Sequence, residues 1–167
     1  MRISDEKLRS DRLVFYSQDV ERLDGELDSF LELSGARCAI LIDQEGHLVT
    51  RRGEAAASSV DSLSALTAGS FAATKQMAQL LGEEEFNTLS HQGVRQAIQV
   101  SLVGERTLLA IVWDERTNLG LVRFYAQEST RRLAEVFEDI AVRPAQEGEN
   151  LSGDYSSQAS AALDDLF

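Results

Sequence analysis

The chain has 167 residues and 43% hydrophobic content, enough for one domain with a proper core plus a tail. Its net charge of −12 argues against a nucleic-acid binder, which needs a basic footprint, and disfavours docking on anionic lipid by charge alone. The single cysteine, Cys38, cannot form an internal disulfide. No apolar run nears the roughly 18 residues of a membrane span, and the charged start MRISDEKLRSD carries no secretory signal. A cytoplasmic protein without membrane insertion is expected.

Residues 1–12 are expected to form a flexible N-terminus, 13–143 one folded domain, and 144–167 a flexible acidic tail. From Ser17 onward, SQDVERLDGELDSFLELSG sets Val20, Leu23, Leu27, Phe30, Leu31 and Leu33 at helical spacing. Ser17 would cap this helix and Gly35 would stop it. RCAILID then reads as a strand covered on both faces. DQEG supplies a turn with Gly46 at positive φ, and HLVTRR returns as the antiparallel partner. A second helix, capped by Ser58 or Ser59, runs to near Gly82.

After a polar connection, EEEFNTLSHQG, three more strands are predicted: RQAIQVSLV, RTLLAIVWD and LGLVRFYAQ. A two-residue turn at Gly104-Glu105 joins the first two, and DERTN joins the second and third. In the first, Ile98, Val100 and Leu102 point one way and Gln99 and Ser101 the other. A last helix, ESTRRLAEVFEDIAV, stops before Pro144. The order helix, two strands, helix, three strands, helix defines an α+β sandwich: one five-stranded antiparallel sheet with helices on its faces.

Chemistry-bearing groups are sparse. His47 follows a turn and His91 lies far from it in sequence, so neither suggests a metal ligand set, and no metal or cofactor is expected. Cys38 falls in the most apolar strand, where a buried, inert thiol is the expectation. Asp43 and Asp114 sit at strand ends and read as turn residues accepting backbone hydrogen bonds, rather than as a catalytic pair. No phosphate-binding glycine loop of either familiar spacing occurs. Catalytic residues are not expected, and a hydrolase built on Asp43, Asp114 or Cys38 is the weakest reading.

The second helix raises the functional question. SLSALTAGSFAATKQMAQLLGEEEF carries alanines and a glycine where leucines are usual, and Gly69 costs roughly 1 kcal/mol against alanine in a helix. At about 100° per residue, Leu63, Leu66, Ala73, Met77, Leu80 and Leu81 share one side, which is expected to pack on the sheet. Ala65, Ala68, Gly69, Ala72 and Gln76 form a second stripe, with Phe71 beside it and Lys75 opposite Leu66. This second stripe would let another helix approach closely. RQAIQVSLV, as an edge strand, would add strand pairing to the same contact. The expected homodimer interface thus comprises Ala65, Gly69, Phe71, Gln99 and Ser101.

LIDQEGHLVT, SLSALTAGSFAA, LLGEEEF, SLVGERTLLAIVWDERTNLGLVRF and the terminal LDDLF together resemble the MglB-like members of the bacterial roadblock-domain family. The similarity runs from about Leu13 to Val142, then resumes at the last residues. The resemblance implies a roadblock, profilin-like fold and a homodimer with paired second helices, with two copies per GTPase. The partner it implies is a small Ras-like GTPase of the MglA type, in polarity and motility, with a cell pole as one destination. GTP hydrolysis would be stimulated by holding the GTPase's own catalytic residues in place. Carried onto this chain, the GTPase platform would use Ala68, Ala72, Lys75 and Gln76, and the tail would add Leu163, Asp164, Asp165, Leu166 and Phe167. The alternative is a roadblock adaptor that recruits a GTPase or a polarity complex without activating hydrolysis.

Overall fold

The computed structural model describes residues 16–54 and 57–142. Helix α1 (Ser17–Ser34) leads into strands β1 (Cys38–Asp43) and β2 (Leu48–Gly53), then helix α2 (Ala57–Leu81). Strands β3 (Thr88–Gln92), β4 (Gln96–Val103) and β5 (Thr107–Asp114) follow, and helix α3 (Leu119–Val142) closes the domain. The strands form one antiparallel sheet in the order β2-β1-β5-β4-β3. The expected class and element order are both present. The expected segments 1–12 and 144–167 lie outside the described residues.

Alternation along the central strands divides the core into two layers. Ala39 and Leu41 of β1, with Leu109, Ile111 and Trp113 of β5, meet α1 and α3. Cys38, Ile40 and Ile42, with Leu108 and Ala110, meet α2. Because both faces of β1 and β5 are covered, their sequences are nearly continuous apolar runs. The β1–β2 hairpin forms as expected, with Gly46 at φ 94°. Helix α1 ends at Gly35, whose φ of 74° lets its N–H reach Leu31 O at 3.0 Å.

Several boundaries differ from expectation. Tyr16, not Ser17, holds the α1 cap position, and its N–H donates to Asp19 Oδ2 at 2.8 Å. Helix α2 begins at Ala57, earlier than expected. Leu33, placed in the apolar repeat of α1, is exposed. The connection from β4 to β5 has three residues, Gly104 to Arg106, between paired Val103 and Thr107.

The larger correction concerns the last strand. LGLVRFYAQ is not a strand but the first turns of α3, where Asn118 Oδ1 accepts the Leu121 N–H at 3.0 Å. Val122, Ala126, Ser129, Leu133, Val136, Phe137 and Ile140 form one buried helical stripe. The fifth strand instead comes from the polar connection: Thr88–Gln92 pairs with β4 from Thr88↔Ser101 to Gln92↔Ala97. Strand β4 is therefore paired on both sides and is not an edge. The edges are β2 and β3.

Helix α2 is rotated relative to expectation. Val60, Ser64, Thr67, Ala68, Phe71, Thr74 and Ala78 face the sheet, and Phe71 is only 1% exposed. Of the leucines expected there, Leu63 alone packs against this layer, and it is half-buried. Leu66 and Leu80 are 69% and 88% exposed, and Met77 and Leu81 also face outward. The helix does have two faces, but most of its large aliphatic side chains lie on the outer one. This makes a direct prediction in dilute, monomeric protein. Phe71→Ala should lower unfolding free energy by about 3–5 kcal/mol, while Leu80→Ala should stay within about 0.5 kcal/mol. Chemical denaturation giving the reverse order would restore the leucine face to the sheet.

Candidate functional site

The small residues of α2 divide into two groups with different neighbours. Ala65 and Ala68 make room for the β1–β2 turn inside the same chain. A Cβ on Gly46 would lie 3.0 Å from Ala65 Cα and 3.6 Å from Ala68 Cβ. Bulk at either position would push the turn away from the helix. Gly69, by contrast, has nothing within 4 Å of where its Cβ would be. Ala72 and Ala73 are exposed as well. No described residue of this chain accounts for Gly69.

Around Gly69 the outer face collects Leu66, Ala73, Met77 and Leu80 at helical spacing, with Ala65, Ala72 and Gln76 along one flank. A row of large apolar side chains around a small-residue centre, left in water, is the kind of surface that marks a protein–protein contact. Hydrophobicity alone assigns Leu66, Ala73, Met77 and Leu80 to the sheet, because they are among the most apolar residues of the helix. Their exposure is what makes them candidates.

The sequence-predicted residues are only partly brought together. Ala65, Gly69, Ala72 and Gln76 share the exposed side of α2, and Lys75 is half-buried at its border. Ala68 and Phe71 pack inward against the sheet. Gln99 and Ser101 lie on the other side of the sheet, buried beneath α3, where Gln99 Nε2 donates to Ser101 Oγ at 3.2 Å. An interface reached through an outward Phe71 or through an edge at Gln99 is therefore ruled out by position. Leu163, Asp164, Asp165, Leu166 and Phe167 fall outside the described residues.

Elsewhere among the described residues, several titratable groups are engaged within the fold. Burial pushes the Cys38 thiol up, keeping it protonated, with Arg37 opposing weakly. Asp43 Oδ1 accepts the Glu45 and His47 N–H groups at 2.9 and 2.8 Å, closing the hairpin turn as expected. Asp114 accepts the Arg116 N–H at 3.0 Å, and the Arg116 guanidinium holds its carboxyl below the usual range. Asp43, Glu45 and His47 have donor atoms within 4.8 Å of one another on the exposed turn, a grouping that could hold a metal ion and that the expectation for His47 did not include. Among the described residues, no helix is long and apolar enough to cross a membrane.

A two-layered core, with one helix on one sheet face and two on the other, defines the profilin-like class of α+β sandwich. The chain belongs to the Roadblock/LC7 domain family, whose model matches residues 23–112. It is similar to the gliding protein MglB of Thermus thermophilus, with 36% identity and a TM-score of 0.72 over 76% of this chain and 96% of that one. It is also similar to Myxococcus xanthus MglB, with 32% identity and a TM-score of 0.67 over 70% and 95%. An MglB with a tetrameric arrangement matches at 35% identity and a TM-score of 0.73, over 77% and 96%. No curated protein sequence matches the chain.

The open space at Gly69 has a measurable consequence. Gly69→Ala in dilute, monomeric protein should raise unfolding free energy by about 1 kcal/mol, because alanine favours the helix and meets no obstacle. A loss of stability under those conditions would mean that the chain's own atoms already occupy that space.

Proposed function

We propose that the protein is a homodimeric regulator of a small Ras-like GTPase of the MglA type, and that it stimulates GTP hydrolysis without supplying a catalytic residue. The observation that carries this reading is the exposed apolar face of α2 around Gly69, on a chain similar to MglB proteins. In this reading two copies pair through Leu66, Gly69, Ala73, Met77 and Leu80, with the β3 edge at Thr88–Gln92 adding strand pairing. The paired helices then form a platform for one GTPase along the flank at Ala65, Ala72 and Gln76. Lys75 sits at its border, and Ala68 acts from beneath by keeping the β1–β2 turn close. Residues 163–167 of either copy would add a second contact to the bound GTPase.

The chemistry inside such a complex is positioning. A loose phosphoryl-transfer transition state needs its attacking water and its charge-stabilising groups held in line. A rigid helical platform can restrict the GTPase loops that carry those groups. The arginines fit this division of labour: Arg52 is engaged twice by Asp28, at 2.8 and 3.0 Å, and Arg116 is shared between Asp114 and Glu54. Polarity and motility, with a cell pole as the destination, are the setting that the MglB likeness suggests.

The test is phosphate release by an MglA-type GTPase mixed with the pure protein. Hydrolysis should accelerate and saturate at two copies per GTPase. Alanine at Arg51, Arg52, Arg106 or Arg116 should leave most of the acceleration, since losing an inserted arginine finger would cost about 10³–10⁵ in rate. Binding with unchanged hydrolysis would leave the non-activating adaptor. One arginine variant that binds yet loses nearly all acceleration would mean that a finger is supplied.

A further inference from the structure

The face of the sheet opposite α2 carries a second unfilled surface, a groove of about 700 Å³ between α1 and α3. That size is within the range of sites that hold small ligands or several side chains. Its walls include Leu33, 58% exposed, and Phe124, 68% exposed. Tyr125 meets Phe124 edge-on, with ring centroids 5.1 Å apart. Ser129 also lines the groove; its hydroxyl is buried and has no hydrogen-bond partner. At the lip Arg132 donates Nε to Glu128 at 3.0 Å, while its Nη1 stays 3.9 Å from Glu26. Most of the Arg132 fork therefore remains available to another carboxylate.

We propose that residues 160–167 of the same chain dock into this groove when no other partner holds them. Three observations select this occupant. The first is pattern: Leu163, Leu166 and Phe167 stand at the spacing of one helical face, with Asp164 and Asp165 between them. Such a segment can lay its apolar side on Leu33 and Phe124 and turn a carboxylate to Arg132. The second is charge: no lysine or arginine occurs from Pro144 onward, so the segment brings only acids to a lip where Arg131 and Arg132 stand beside Glu26 and Glu128. The exposed surface of α2 offers only Lys75 at its border, and it carries no arginine.

The third is reach. Glu128, in the groove, precedes Val142 by 14 positions along α3, about 21 Å at the helical rise. Residues 143–162 connect Val142 to Leu163, and a coil of that length spans about 25 Å on average. A tether whose mean span matches the distance gives nearly the highest effective concentration it can provide. Weak contacts then suffice for occupancy. The GTPase reading is not required for this docking. If both hold, the same five apolar and acidic residues must leave the groove before they can contact a GTPase.

The experiment is paramagnetic relaxation enhancement on the full chain. A spin label is placed at Ser160→Cys in a Cys38→Ala background. Amides around Leu33, Phe124 and Glu128 should broaden, and the broadening should be lost on Phe167→Ser or on Phe124→Ser. Phe124 is exposed, so that substitution leaves the core intact, and circular dichroism checks the fold of each variant. Labelled, isotopically silent protein mixed with unlabelled ¹⁵N protein should show no such broadening. Absence of broadening at the groove overturns the proposal. So does broadening confined to α2, or groove broadening that appears in the mixture as well, which would mean the groove takes another copy's segment.

Discussion

The angular setting of α2 on the sheet governs what this molecule can present to others. Phe71 is the largest side chain on the inner face of that helix, and it enters the layer formed by Ile40, Val100 and Leu108. Ala68, Thr67, Ser64, Thr74 and Ala78 flank it, all small enough for the helix to lie close to the strands. Gly46 requires the same closeness, because the β1–β2 turn tucks against Ala65 and Ala68. With one aromatic anchoring the inner face, Leu66, Met77 and Leu80 have nowhere to go but outward. Rotating the helix to bury them would expose Phe71 and drive larger side chains into the turn.

This also explains which parts of the architecture are legible in the sequence. The covered strands β1 and β5, the hairpin at Gly46 and the stop at Gly35 follow from local pattern and backbone chemistry. The two-faced character of α2 is legible too, but not which face lies inward. Ranking positions by hydrophobicity favours leucine over threonine and serine, yet close approach to a sheet selects small residues. Strand β3 escapes a local reading because TLSHQ has little apolar alternation; its place comes from pairing with β4, a long-range partner. LGLVRFYAQ misleads in the opposite sense, since Val, Phe and Tyr favour strands while the spacing from Val122 to Ile140 is that of a helix.

For the candidate site the consequence is a redistribution. Gly69, Ala65, Ala72 and Gln76 keep their exposure, whereas Phe71 and Ala68 turn out to hold the helix in place. Gln99 and Ser101 illustrate why polarity is a poor guide to exposure. They alternate with apolar residues as a solvent-facing set would, yet they bond to one another beneath α3. The two sides of the sheet thus carry different unfilled surfaces: an exposed apolar helix face around Gly69, and a groove between α1 and α3.

The central claim is that the outer face of α2 around Gly69 is built for the α2 of a second copy. It can be tested directly by a pulsed electron–electron resonance distance between labels at Ser70→Cys, beside the face, in a Cys38→Ala background. Helices packed through small residues lie about 8–10 Å apart, so the labels should be separated by less than about 25 Å. A chain without intermolecular coupling at micromolar concentration, or one whose labels lie far beyond that distance, would contradict the claim.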